Sequence, residues 1–321
     1  MTMKAYINTS TDPYFNLAAE QYLLDTEDGQ IFMLWRNDKA VIIGRNQNAY
    51  AEIDRAYVKE HNIAVVRRLT GGGAVFHDLG NVNFTFISPK SEDDLLDFSH
   101  FCAPVVAALQ KLGIPAELSG RNDMTVNGRK FSGNAACVYN GKSMHHGTLL
   151  FSADLSDVEG ALNVDPEKMQ SKGIKSVRSR VCNLKEYLPD LDVIRFFDYL
   201  KSEIAPDASY FSDGQIKEIQ KLKDEKYGTW EWNYGVSKQY AKTVKKRYPF
   251  GSVEVSYTAE NGILTDVKIS GDYFGASPTK ELEEKLTGKR LSYAELCAAM
   301  PDADKYISGA SAYQIADIFL Q

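Results

Sequence analysis

Four segments carry residues whose types and spacing can do chemistry. The first is Arg67-Arg68-Leu69-Thr70-Gly71-Gly72-Gly73-Ala74-Val75-Phe76-His77-Asp78. Three consecutive glycines after a strand-like run free the backbone for positive φ and close approach, so several N–H groups can converge on an anion. The two arginines add fixed charge suited to a carboxylate or phosphate. The pattern is neither GxxxxGK[ST] nor GxGxxG; the same residues also suit a glycine-rich turn with surface arginines. The second segment runs Gly120-Arg121-Asn122-Asp123, turns at Asn127-Gly128, and continues Arg129-Lys130-Phe131-Ser132-Gly133-Asn134-Ala135. On a regular strand Arg129 and Lys130 face opposite ways, so one can meet a pocket and the other solvent. Glycine in a strand marks close approach of another group, which singles out Gly133. Asp123 suits magnesium beside phosphates, where one or two carboxylates serve. The plainer alternatives are an Asp that caps a turn and a solvent-facing lysine.

The third segment, Met144-His145-His146-Gly147-Thr148, pairs two histidines that a strand sends to opposite faces. They cannot share one ion, and no HExxH or Cys/His quartet surrounds them. The fourth, Lys172 to Leu184, holds Lys172, Lys175, Arg178 and Arg180 with Gly and Ser. It reads as a basic loop able to close over a phosphorylated intermediate, or as solvated surface. It lacks the interleaved aromatics of a nucleic-acid stacking platform.

These segments need elements to hold them. Asp12-Pro13 is an N-cap followed by proline at the first helical position, opening a helix to about residue 27. Strands are expected at Ile31 to Trp35, Ala40 to Ile43 and Ile63 to Arg67, with a helix at Ile53 to Glu60. Leu95, Phe98, Phe101, Val105, Leu109 and Leu112 form an apolar stripe on a helix after Ser91,. Asn-Gly pairs at 127–128 and 140–141 predict type I′ turns, hence a meander of Met124–Val126, Arg129–Val138 and Ser143–Phe151. Helical patterns cover about 192–204 and 213–226. The basic stretch Lys242 to Arg247 then separates off a unit with strands around Asn261-Gly262 and helices near 278–287, 292–299 and 311–320.

Length and composition bound the rest. A chain of 321 residues suggests two domains,, with a boundary at 245/246. At 44% hydrophobic and 25% charged the composition is globular, and a net charge of −6 does not suit a nucleic-acid binder,. Cys102, Cys137, Cys182 and Cys297 form no CxxC pair and read as reduced thiols of a cytoplasmic protein,. The first residues show no apolar signal region and no run reaches the roughly 18 apolar residues of a membrane span. A monomer is expected.

Taken together, RRLTGGGAVFHDLGNVNFTF, GRNDMTVNGRKFSGNA, HHGTLLFSADLS and KGIKSVRSRVCNL closely resemble the lipoate–protein ligase A family of the biotin/lipoate ligase superfamily. Leu34-Trp35-Arg36, Ile43 to Asn48 and Tyr227 to Asn233 are similar to it too. The resemblance implies an α+β fold: a large mixed-sheet catalytic domain, 1–245, and a small C-terminal α/β accessory domain, 246–321. It implies an ATP- and Mg2+-dependent enzyme that adenylates lipoate and passes the lipoyl group to a lysine of an apo lipoyl domain. Acceptors would be acyltransferase subunits of 2-oxoacid dehydrogenases and the glycine-cleavage H protein. Lys130 matches the lysine that contacts the lipoyl carbonyl and α-phosphate. Arg68 and Gly73, Ala74, Val75 and Phe76 match the ATP and adenylate stretch. Trp35, Arg67, Gly72, His77 and His146 fall near the lipoyl pocket, and Asp123 where magnesium would bind. Three rivals remain. An ATP-independent lipoyl or octanoyl amidotransferase would use a cysteine such as Cys137 or Cys182. A biotin ligase would carry a GRGR-type signature, which is absent. A non-catalytic paralogue would have lost Lys130 or the glycine loop, and both are present.

Overall fold

The computed structural model describes residues 3–89, 98–120, 122–162, 181–234 and 240–321. The loop cations at 172–180, Arg121 and the start of the helix expected after Ser91 lie outside these residues. Among the described residues the strands, in chain order, are β1 Lys4–Ile7, β2 Ile31–Trp35, β3 Ala40–Ile43, β4 Ala64–Arg67, β5 Val75–His77, β6 Asn81–Pro89, β7 Ala116–Ser119, β8 Asp123–Val126, β9 Arg129–Tyr139, β10 Lys142–Leu150, β11 Ser209–Tyr210, β12 Lys242–Tyr248, β13 Gly251–Glu260 and β14 Ile263–Gly271.

Eight of them make one mixed sheet in the order β11-β1-β2-β6-β10-β9-β8-β7. β1 runs parallel to β2 and β11, and the remaining pairs are antiparallel. The expected meander is there, and its cause is local. Asn127 and Gly128 take φ of 51° and 76°, and Asn140 and Gly141 take 47° and 74°, the paired positive values of type I′ turns. The small sheet β4-β3-β5 stands beside it.

Alternation gives the large sheet two different faces. On one, Phe32, Leu34, Phe84 and Phe86 pack with Phe98, Phe101, Val105 and Leu109 of helix Phe98–Lys111 and with Phe196 and Leu200 of helix Val193–Ile204. This is the main core, and it uses the apolar stripe read from the sequence. The other face is polar where it meets helix Pro13–Thr26, whose Glu20 is almost fully buried. That helix starts as expected: Asp12 accepts from the Tyr14 and Phe15 N–H groups at 2.9 and 3.4 Å.

The chain divides into two compact units. The first comprises Met1–Ile42, Tyr50–Arg67 and Val75–Asn233; the second comprises Ile43–Ala49, Arg68–Ala74 and Tyr234–Gln321. In the second, β12-β13-β14 form an antiparallel sheet. Helices Thr279–Leu286, Tyr293–Ala299, Ala303–Tyr306 and Ala312–Phe319 pack on it around Val253, Val255, Leu282, Leu296, Ile315 and Phe319. The basic stretch at 242–247 is not a separator but strand β12, which spans the 245/246 boundary. Val244 and Lys246 share the face that meets helix Ala312–Phe319, where Lys246 pairs with Asp317, and Thr243, Lys245 and Arg247 take the other. The charges hide a strand because only one of its faces is buried. Two expected helices are also modified: 53–60 shortens to Arg55–Glu60, with a separate helical turn before it at Ala49–Glu52, and 213–226 becomes Asp213–Leu222 followed by a π-helical turn at Lys223–Tyr227.

Asp12→Ala removes both cap bonds and its ion pair with Lys223. It is expected to cost about 1 kcal/mol, seen as a lower thermal midpoint, with Asp12→Asn recovering most of the loss as a cap acceptor.

Candidate active site

Lys130 owes its position to an irregularity. In the β8–β9 pair Met124 faces Ser132 and Thr125 faces Lys130, so Phe131 is the extra residue of a β-bulge. A bulge shifts the phase of the alternation and re-aims the side chains beyond it. Lys130 and Gly133, an odd number apart, therefore come to the same face, while Phe131 sinks fully into the main core. A Cβ on Gly133 would lie 3.0 Å from the Lys130 Nζ. The close approach that Gly133 permits is thus made by a side chain of its own strand. The Lys130 ammonium sits 2.6 Å from Asp123 Oδ1, and both side chains are only partly exposed. Arg129 goes the other way, to Glu186 and the Val181 carbonyl.

Registers carry the same face across the sheet. Gly133 lies opposite Thr148, and Thr148 opposite Asn83, which lies opposite Trp35. One step along, Met33, Thr85, His146 and Ala135 form a parallel row. The polar groups of this face hold one another. Trp35 Nε1 donates to Thr85 Oγ1 at 2.9 Å, Thr85 donates to Glu20 Oε1 at 2.7 Å, and His146 Nδ1 meets the same carboxylate oxygen at 2.8 Å. His145 faces the opposite side, stacked on Phe101 at 3.7 Å.

His77 ends a second chain. Asn8 donates to Asn16, Asn16 Nδ2 donates to Asn37 Oδ1, and Asn37 Nδ2 reaches His77 Nδ1 at 3.0 Å. With an amide N–H on Nδ1, the ring proton belongs on Nε2, which donates to Thr148 Oγ1 at 2.8 Å,. A run of buried amides thereby fixes a tautomer on the face that carries Lys130.

The arginines are engaged with backbone. Half-buried Arg67 donates through Nε to the Trp232 carbonyl at 3.0 Å and through Nη2 to the Asn233 carbonyl at 2.8 Å. In return Asn233 Oδ1 accepts the Arg67 N–H and Trp232 Nε1 donates to the Arg67 carbonyl, each at 2.8 Å. Burial pulls the Arg67 guanidinium down to about 10, still charged at neutral pH. In the second unit Arg68 is buried and donates to Thr70 Oγ1, the Gly71 carbonyl and the Gly73 carbonyl at 2.8, 2.6 and 2.8 Å. Gly72 has φ of 89°, and its N–H donates to the Tyr273 carbonyl at 3.2 Å. A Cβ on Gly71 would strike that carbonyl at 2.4 Å. In this structure the glycines admit the protein's own backbone, and Arg68 holds the loop's carbonyls rather than standing as surface charge. Ala74 comes next, and Val75 and Phe76 enter β5 opposite Ile42 and Val41 of β3.

The structure therefore brings Lys130, Asp123, Trp35, His77 and His146 onto one face of the first unit. Arg68, Gly72, Gly73 and Ala74 belong to the second. Sequence reasoning missed Glu20, Thr85, Asn16 and Asn37. A carboxylate among the buried Ala18, Ala19 and Leu23 of helix Pro13–Thr26 was a signal for the first. The asparagines gave none, because their partners lie 8 to 40 residues away. Among the described residues no three His, Cys, Asp or Glu side chains cluster as a metal site, and no helix is long and apolar enough to cross a membrane. Cys182 is buried, its thiol 3.7 Å from the Arg129 carbonyl, and burial pushes it up, away from the thiolate,.

Residues 12–205 match the family described as lipoyl protein ligase A/B catalytic domain, and residues 237–319 match the bacterial lipoate protein ligase C-terminus. The chain belongs to the lipoyl protein ligase A/B family. Within it, the chain is 43% identical over 290 residues to lipoate-protein ligase LplJ of Bacillus subtilis, covering 87% of each. It is 39% identical over 306 residues to lipoate–protein ligase 1 of Staphylococcus aureus, covering 93% of each. Among solved structures it is similar to P. falciparum LipL1 in complex with lipoate, with TM-score 0.82, 25% identity and full coverage of both chains. A lipoate-protein ligase A bound with ATP gives TM-score 0.64 at 27% identity, over 74% of this chain and 100% of that one. A bi-partite lipoate protein ligase of Thermoplasma acidophilum, described with its E2 lipoyl domain, gives 0.65 at 28%, over 75% and 100%. The large mixed sheet with a small C-terminal unit is the α+β arrangement the resemblance implied.

Arg67→Met leaves the Trp232 and Asn233 carbonyls without this donor. It is expected to cost about 2 kcal/mol, measured as a fall in the urea midpoint with unchanged slope.

Proposed function

We propose that this chain is an ATP-dependent lipoate–protein ligase. The observation that carries the reading is the Lys130 ammonium, set by a bulge over a glycine and beside Asp123. In the first step a lipoate carboxylate oxygen attacks the α-phosphorus of ATP; the bond to the β-phosphate bridging oxygen breaks and pyrophosphate leaves. Two anions must approach, and a fixed cation between them offsets their repulsion and stabilises the spreading charge. In the second step the neutral amine of an acceptor lysine attacks the anhydride carbonyl carbon. The carbon–oxygen bond to AMP breaks, AMP leaves, and the amine's extra proton is released. The same ammonium polarises that carbonyl. A compact charge on a long stem suits both tasks.

Arg68 and Gly73 to Phe76 take the adenylate, Arg68 by holding the Gly71 and Gly73 carbonyls and so fixing the loop. Trp35, Arg67, Gly72, His77 and His146 are assigned to lipoyl binding, as the family resemblance implies. Magnesium bound with ATP would be held by Asp123 as a single carboxylate, the phosphates supplying the remaining charge, and it would neutralise charge on them. The larger domain is catalytic, and the C-terminal unit, expected from 246 and including all of strand β12, is accessory. Acceptors are apo lipoyl domains of 2-oxoacid dehydrogenase acyltransferases and the glycine-cleavage H protein, met in the cytoplasm by a monomer. Separate incubations with ATP, magnesium, lipoate and each apo acceptor, read as mass shifts, test that choice.

Lys130→Ala is expected to lower lipoate-dependent ATP–pyrophosphate exchange at least about 100-fold with the far-ultraviolet circular dichroism retained. Gly133→Ala, which displaces the ammonium without removing it, is expected to fall between that variant and the unmodified protein. Normal exchange by a folded Lys130→Ala protein overturns the reading.

The amidotransferase alternative needs a reactive thiol, and both candidate thiols are buried. Cys137→Ser and Cys182→Ser are each expected to keep ATP-dependent transfer to within about threefold, checked by acceptor mass shift; ATP-independent transfer lost with either thiol would favour the alternative.

A further inference from the structure

One buried polar side chain has no task in this scheme. Asn83 is fully inaccessible, and among the described residues neither its Nδ2 nor its Oδ1 has a hydrogen-bond partner. Native interiors seldom leave both ends of an amide unpaired. Of the neighbouring polar groups on its face, Trp35 is held by Thr85, Thr85 by Glu20, His146 by Glu20 and Thr148 by His77, and Asn81 donates to the Phe76 carbonyl while its Oδ1 stays unpaired.

Register fixes where Asn83 stands. A single row crosses the sheet through Trp35, Asn83, Thr148, Gly133 and Asp123, and cross-strand partners share a face. The Lys130 ammonium lies over Gly133. Strands are about 4.8 Å apart, which puts Asn83 roughly 10 Å from that point, measured along the row. An acid held by its carboxylate at Lys130, with its tail along the row toward Trp35, carries its far end past Asn83. In lipoate five carbon–carbon bonds of about 1.5 Å zigzag from the carboxyl carbon to the ring, and the two sulfurs lie just beyond.

We propose that Asn83 is a specificity-determining residue whose Nδ2–H donates to a dithiolane sulfur of bound lipoate. The inference rests on the ligase reading and deepens it. No protein group pairs this amide, so an acceptor that the substrate brings meets no competing protein partner. Sulfur is a weak acceptor, so the preference is several-fold rather than absolute. A saturated ring of the same shape leaves the amide as unpaired as it was.

The test uses the full chain and three acids: lipoate, octanoate and 5-cyclopentylpentanoate, which keeps the ring shape and lacks the sulfurs. ATP–pyrophosphate exchange is measured for each. The unmodified protein is expected to show kcat/KM at least fivefold higher for lipoate than for the cyclopentyl acid, mainly through KM. In Asn83→Leu that ratio is expected to collapse to within twofold. If Asn83→Leu does not fold, Asn83→Ala is read by the same ratio. Equal efficiency with the two ring acids in the unmodified protein overturns the inference, as does an unchanged ratio in a folded variant. Exchange with none of the acids overturns the ligase reading and this inference together.

Discussion

Much of this site depends on one residue too many in β9. The bulge at Phe131 lets a single strand satisfy two demands that strict alternation would set against each other. Phe131 is needed in the core beneath the sheet, and Lys130 is needed on the face above, in line with Gly133 and Thr148. Without the extra residue, Lys130 and Gly133 would face opposite sides. With it, the ammonium bends back over the glycine and finds Asp123 on the neighbouring strand. The phase of the sheet, rather than any loop, decides where the cation stands.

Around that cation the upper face is organised by polar groups that fix one another. Asn8, Asn16 and Asn37 determine which nitrogen of His77 carries its proton, and Glu20 gathers Thr85 and His146. Buried networks of this kind stabilise little in net terms, but they are costly to leave half made, so they hold side chains in single positions. The apolar lower face, with its aromatic residues and two helices, supplies the hydrophobic burial that supports this rigidity,.

How much could be read from sequence depends on the range of the interactions. The Asn-Gly turns, the Asp12 cap and the stripe from Phe98 onward on helix Phe98–Lys111 are encoded by locally spaced residues, and each is found where expected. Lys130, Arg67 and the glycine loop were visible as types, and Gly133 as a place of close approach. Their partners were not, since Arg67 answers to Trp232 and Asn233, 165 and 166 residues away. Strand β12 was hidden by its own lysines. The phase shift at Phe131 has no signature in residue types, because a bulge is a relation between two strands.

The tight turns at Asn127-Gly128 and Asn140-Gly141 have a consequence for assembly. They make every pairing among β8, β9 and β10 short in sequence, so closing these loops costs little chain entropy. Asp123 and Lys130 are seven positions apart, whereas Trp35 reaches Thr85 across 50 and His77 reaches Thr148 across 71. Contact order of this kind governs how fast a topology forms. The charged end of the site is therefore the part a folding chain, or one still emerging during synthesis, can bring together from local sequence alone, while the end facing Trp35 waits for the whole sheet.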